Sequence, residues 1–123
     1  MAFADPQSVT INAVANSLPR VVTGGSTGRA STYQKDDGLV GLVISHDVGK
    51  RTRRTIRLNH AKIAADPLIS AQNIKYSMSA YLVVDLPPTG YTVAEAKMIV
   101  DGLTAYLTAS SGAKVTQLLG GEN

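Results

Sequence analysis

The chain contains no cysteine, which excludes disulfides, thiolate metal sites and a cysteine nucleophile. It has no tryptophan and one phenylalanine, and aromatics make up only 5% of its 123 residues, so its core has to be aliphatic. Glutamate occurs only at Glu95 and Glu122, and neither suggests a paired general acid and base. The two histidines, His46 and His60, make no metal set without cysteine beside them. Ser45-His46-Asp47 spells a triad, but neighbours on a strand point to opposite faces and cannot form the relay. The glycine-rich stretch Gly24–Gly28 lacks the lysine and following helix of a phosphate-binding loop. Neither catalysis nor a metal or other cofactor is expected. No run approaches the ~20 apolar residues that span a bilayer, and MAFADPQSVTI lacks the basic start and apolar run of a secretory signal. A protein with no membrane partner is expected, and 123 residues predict a single domain over 1–123.

What the chain does have is a block of positive charge. Lys50–Arg57, KRTRRTIR, holds five of the twelve lysines and arginines, and the net charge is +3. Arg53, Thr55, Arg57 and Asn59 alternate with Arg54, Ile56, Leu58 and His60, placing a polar set and a more apolar set on opposite sides of one strand. Such a strand can neutralise phosphates and release counterions, or simply serve as a solvated face.

Period-2 alternation recurs along most of the chain. Ser8–Val14 and Leu18–Thr23 predict an N-terminal hairpin over 8–23 that turns at Ala15–Ser17, and Arg29–Lys35 predicts a short strand. Asp37-Gly38 marks a turn, followed by an aliphatic strand at Gly38–His46 and a turn at Asp47–Gly49. The basic strand follows at Arg51–Ala61, and Asp66-Pro67 breaks the pattern, predicting a loop over Ala64–Gln72. Asn73–Leu86 is the longest strand, with Tyr76, Met78, Ala80, Leu82, Val84 and Leu86 on one side and Lys75, Ser77, Ser79, Tyr81, Val83 and Asp85 on the other. Period 3.6 then takes over: Ala96, Ile99, Val100, Leu103 and Leu107 line one face of a helix over Thr92–Thr108. Thr92 and Glu95 can form a capping box. Ser110-Ser111-Gly112 closes the helix, with Gly112 suited to a left-handed cap, and Ala113–Leu119 predicts a second short helix.

The fold class expected is α+β: an N-terminal hairpin and an antiparallel meander sheet over 29–86, then two C-terminal helices over 92–119. A sheet of five or six strands spans roughly 25 Å at the ~4.8 Å strand spacing, whereas a helix with its side chains is about 10 Å wide. One helix leaves much of the apolar sheet face bare, and large bare patches mark partner surfaces. An intertwined homodimer is expected, with Ala96, Ile99, Val100, Leu103 and Leu107 at its interface.

The N-terminal hairpin, the meander, RRTIRLNHAKI at Arg53–Ile63, YSMSAYLVVDLP at Tyr76–Pro87 and the terminal helix pair beginning TVAEAKMIVDGL together resemble the coat protein of single-stranded RNA bacteriophages, the levivirus family. The resemblance covers nearly the whole chain and rests on order and length together. It implies a virion protein, assembled in the bacterial cytoplasm, whose dimers build an icosahedral shell with the sheet inside and the helices outside. It further implies that the sheet binds a genomic RNA hairpin overlapping the replicase start, repressing translation. Arg53, Thr55 and Arg57 then fall where the family has RNA contacts, and Ser79 and Tyr81 lie on the strand that contributes a stacking tyrosine. Arg51, Asn59 and Lys75 complete the expected RNA-binding set. The loop at Asp66–Gln72 corresponds to one that makes shell-axis contacts. The pattern departs at Gly41, Val43 and Ser45, where the family commonly carries polar base-contacting side chains, and the tyrosine is displaced by one pleat, with Ser79 in its place. The alternative from another class is a small RNA-binding regulatory dimer that builds no particle.

Overall fold

The computed structural model describes residues 3, 5–23, 30–69 and 71–123, with the backbone alone for Val22 and Thr23. The expected glycine-rich loop at Gly24–Gly28 lies outside the described residues. Seven strands and one helix occur among them: β1 Gln7–Ile11, β2 Val14–Leu18, β3 Arg20–Thr23, β4 Ala30–Gln34, β5 Val40–Val48, β6 Thr52–Ala65, β7 Asn73–Leu86 and α1 Val93–Leu119. The chain divides into two compact units, 1–85 and 86–123.

In the first unit, β1 and β2 form a two-stranded hairpin, and β3 to β7 form an antiparallel meander in chain order. The hairpin turns earlier than expected. Ile11 pairs with Val14, so Asn12 and Ala13 alone make the turn, both at positive φ (49° and 64°). This is the two-residue turn whose twist matches the flanking strands. The sequence conceals it because alanine stands where glycine usually does. The expected second strand, Leu18–Thr23, is divided: Pro19 has no amide to continue a ladder, so Leu18 ends β2 and Arg20 opens β3 in the other sheet. Left-handed backbone costs an alanine about 1–2 kcal/mol, so Ala13→Gly should raise stability by about 0.5–1 kcal/mol after glycine's greater entropy loss. Chemical denaturation of the two proteins checks this.

Pairing register fixes the two sides of the meander. Val40, Leu42 and Ile44 pair with His60, Leu58 and Ile56, and Leu42 and Ile44 pair with Tyr33 and Ser31 on the other side. Directly opposed residues share a face, so this row is the core side. Leu18, Tyr33, Val40, Leu42 and Ile44 are buried there, with Val9, Ile11 and Leu58 packed against them, so the hairpin covers this side. Buried Asn16 is satisfied: its Nδ2 donates to the carbonyls of Val9 and Val14, both at 3.2 Å, and its Oδ1 accepts from Lys35 Nζ at 3.1 Å. The Tyr33 hydroxyl accepts from Arg20 Nη2 at 2.8 Å, which pushes the arginine pKa above its ordinary value.

Cover on the core side thins toward the β7 edge. Leu82 and Val84 join Phe3, Ile44 and Ile56 around an apolar hollow, but farther along β7 Tyr76 and Met78 are exposed, Met78 by 60%. The loop between β6 and β7 spans 66–72. It is closed by Asp66 N–H donating to Gln72 O at 2.8 Å and Gln72 N–H to Ile69 O at 3.0 Å, and the Asp66 carboxylate accepts from Leu68 N–H at 2.8 Å. Leu68 is 91% exposed there.

In the second unit, Thr92 caps α1 by accepting from Glu95 N–H at 3.2 Å. The two expected helices form one element with a kink: Ala109–Gly112 have non-helical dihedrals, and Ser110, Ser111 and Gly112 all have positive φ. No residue of α1 is buried. Ala96, Val100 and Leu107 are half-buried, and Ile99 and Leu103 are exposed.

Candidate nucleic-acid interface

The side of the meander opposite the core is polar, and register aligns its rows. Asp47, Ser45, Val43 and Gly41 of β5 pair with Arg53, Thr55, Arg57 and Asn59 of β6. On the other flank Val43 and Gly41 pair with Thr32 and Gln34 of β4. The parity expected from the alternation of KRTRRTIRLN is therefore the observed one.

The next strand, β7, brings its polar side to the same face. Arg57 Nη2 donates to Ser79 Oγ at 3.1 Å, and the Arg57 guanidinium lies 5.5 Å from the Tyr81 ring centroid. Arg57 Nε also donates to Asn59 Oδ1 at 3.0 Å. One arginine thus joins three of the expected residues into a cluster, held by a cation–π contact and two hydrogen bonds. Tyr81 as a whole stays 62% exposed. Lys75 lines one open groove with Arg57, Asn59, Ser77 and Ser79.

Two expected residues have acidic neighbours. Arg51 precedes β6 and is committed to Asp85, Nε to Oδ1 at 3.0 Å. Arg53 shares the face but stands opposite Asp47, toward the β5–β6 turn. Thr32 and Gln34, absent from the expected set, line the same groove as Arg57 and Lys75. The signal for them was the alternation of Thr32 and Gln34 with Tyr33, the one residue of that weak strand that enters the core.

Chemically, the face offers hydroxyls, amides, guanidinium donors and an exposed aromatic ring. That repertoire suits single-stranded RNA, in which unpaired bases stack on rings and arginines hold the backbone. No group of three metal-ligating side chains occurs among the described residues, and none of their helices is long and apolar enough to cross a membrane.

An N-terminal hairpin on a five-stranded antiparallel meander, followed by a kinked C-terminal helix, is the fold of levi-like bacteriophage coat proteins. The protein of the virus-like particle of bacteriophage AVE019 is similar to this chain with a TM-score of 0.73 and 12% identity, over 87% of this chain and 88% of that one. That of Beihai levi-like virus 21 gives 0.72 and 10%, over 94% of both chains. The coat protein of bacteriophage EMS014 gives 0.68 and 17%, over 90% of this chain and 80% of that one. No family profile and no curated protein matches the sequence. At these identities the resemblance read from the sequence holds as one of fold.

Proposed function

We propose that the chain is a viral coat protein that dimerises, assembles into an icosahedral shell and binds genomic RNA on the polar face of its sheet. The observation that carries the reading is likeness of fold to coat and virus-like-particle proteins over 87–94% of this chain in the three proteins named.

The dimer has independent physical support. A helical element of 27 residues with no buried side chain has little reason to hold together alone, because most helix stability in proteins comes from packing an apolar face. The core side of the sheet is likewise bare around Tyr76 and Met78. A second copy that lays Ile99 and Leu103 on such a surface covers both. Leu68 and Ile69, both exposed between β6 and β7, are suited to contacts between dimers around the shell axes.

RNA binding rests on Arg57, Lys75, Ser79, Tyr81, Thr55 and Asn59, with translational repression of replicase as the second role implied by the family fold. The protein would then reside in the virion, after assembly in the host cytoplasm. Arg57→Ala combined with Lys75→Ala should lower the RNA content of purified particles several-fold while leaving the dimer intact, because neither side chain contributes to the core. Particles of the double variant that carry as much RNA as the unaltered protein would remove both residues from the site.

A further inference from the structure

A basic pair stands on the dry side of the meander, away from the RNA face. His46 of β5 is in register with Arg54 of β6, in the same parity as Ile44 with Ile56 and Leu42 with Leu58, so both belong to the core side. Arg54 Nη1 lies 3.0 Å from His46 Nδ1. A guanidinium can only donate, so this contact makes Nδ1 the acceptor and leaves the imidazole proton on Nε2. That N–H has no hydrogen-bond partner, and Arg54 no carboxylate partner, among the described residues.

The same two residues line an apolar hollow of about 200 Å³. Strand alternation builds it: Ile44, Ile56, Leu82 and Val84 come to one side from three strands, and Phe3 of the N-terminal segment completes the wall. Phe3 is tied in place, because Arg20 Nη2 donates to its carbonyl at 2.8 Å and Arg20 N–H donates to the Asp5 carboxylate at 2.9 Å. The wall is apolar, so the Arg54 stem belongs to it while the charged head stays at the rim. Apolar cavities of this kind stay dry, and one of ~150 Å³ takes benzene, so this one suits an alkyl chain of about six to eight carbons. Leu82 and Val84 stand near one end of β7, whereas the bare Tyr76 and Met78 stand toward the other.

We propose that this hollow binds a medium-chain aliphatic carboxylate, its tail among Ile44, Ile56, Leu82 and Val84 and its head on the Arg54 guanidinium and the His46 Nε2–H. An apolar wall alone would accept any alkyl group. A guanidinium without an acidic partner selects the anion, because charge-assisted bonds to a carboxylate are about twice as strong as neutral ones. An RNA phosphate has no tail to fill the space. The ligand sits on the side of the sheet opposite Arg57, Ser79 and Tyr81, so the inference is independent of the RNA-binding reading.

The test is equilibrium dialysis of the full-length protein and its variants against hexanoate, octanoate, decanoate, dodecanoate and the neutral analogue octanol. Affinity should rise about fourfold for each added CH₂, the effect of burying one methylene, and level off near octanoate because the hollow is bounded. Octanoate should bind about tenfold more tightly than octanol, the worth of a hydrogen bond to a charged group, and Arg54→Gln should bring the two within about twofold. Val84→Phe and, separately, Ile56→Phe suit a strand while filling the space, and each should abolish octanoate binding. Absence of octanoate binding to the unaltered protein would overturn the site. An affinity that keeps climbing through dodecanoate, or binding retained by both filled variants, would overturn it in favour of adsorption to the surface. Equal binding of octanol and octanoate would overturn the part given to Arg54 and His46. Dissociation of the dimer by octanoate, read by light scattering, would overturn it in favour of a second copy as the occupant.

Discussion

Leu103→Asp should abolish the soluble dimer. In a single chain Leu103 is 47% exposed, so an aspartate there would remain hydrated and cost little. If a second copy covers this side of α1, the same carboxylate is buried without a partner, a change that destabilises by about 3–5 kcal/mol. At 1.4 kcal/mol per factor of ten, dimer affinity falls by two to three orders of magnitude or more. The effect is therefore large only if the interface exists, which makes the substitution a test of it. Size-exclusion chromatography with light scattering reads the result. A normal dimer would show that this face of the helix is not the interface.

Leu68→Glu should leave the dimer intact and prevent shell formation. Leu68 touches little of its own chain, and its backbone is held by the Asp66 carboxylate and the bonds that close the loop, none of which uses the leucine side chain. Replacing it should change stability by no more than about 0.5 kcal/mol, as for surface positions generally. An apolar tip repeated around a shell axis is another matter, since glutamates gathered there would repel one another and would lose water on contact. Sedimentation should show dimers in place of particles. Particles forming in normal yield would remove the loop from the contacts between dimers.

Much of this fold was legible because its strands have one dry side. The long β7 strand has the bounds that the alternation from Asn73 to Leu86 predicts, and the parity of Arg53, Thr55, Arg57 and Asn59 follows from the same period. A one-residue slip would have put Leu58 on the polar side, so the pattern constrains register strongly. The N-terminal turn was misplaced because Asn12-Ala13 carries no glycine, although the backbone adopts the positive φ that glycine favours. Pro19 marked the division between β2 and β3, but the apolar run across it read as one strand.

The polar face was less legible than the sheet. Density of charge drew attention to Lys50–Arg54, yet Arg51 is paired with Asp85 from a strand 34 residues away, and no local pattern reveals that. Gln34 was passed over because an isolated glutamine on a weak strand carries no signal until the register sets it beside Gly41 and Asn59. Arg57, by contrast, is set on the polar side by parity, in agreement with the family resemblance, and its contacts with Ser79 and Tyr81 join strands that the alternation assigns to one face.

Electron microscopy of the purified recombinant protein, paired with its ultraviolet absorbance ratio for co-purified nucleic acid, tests the coat-protein reading most directly. Round shells of uniform size that carry RNA are the predicted result. Discrete dimers at every protein and salt concentration would contradict it and turn the same basic face over to a small regulatory RNA-binding protein.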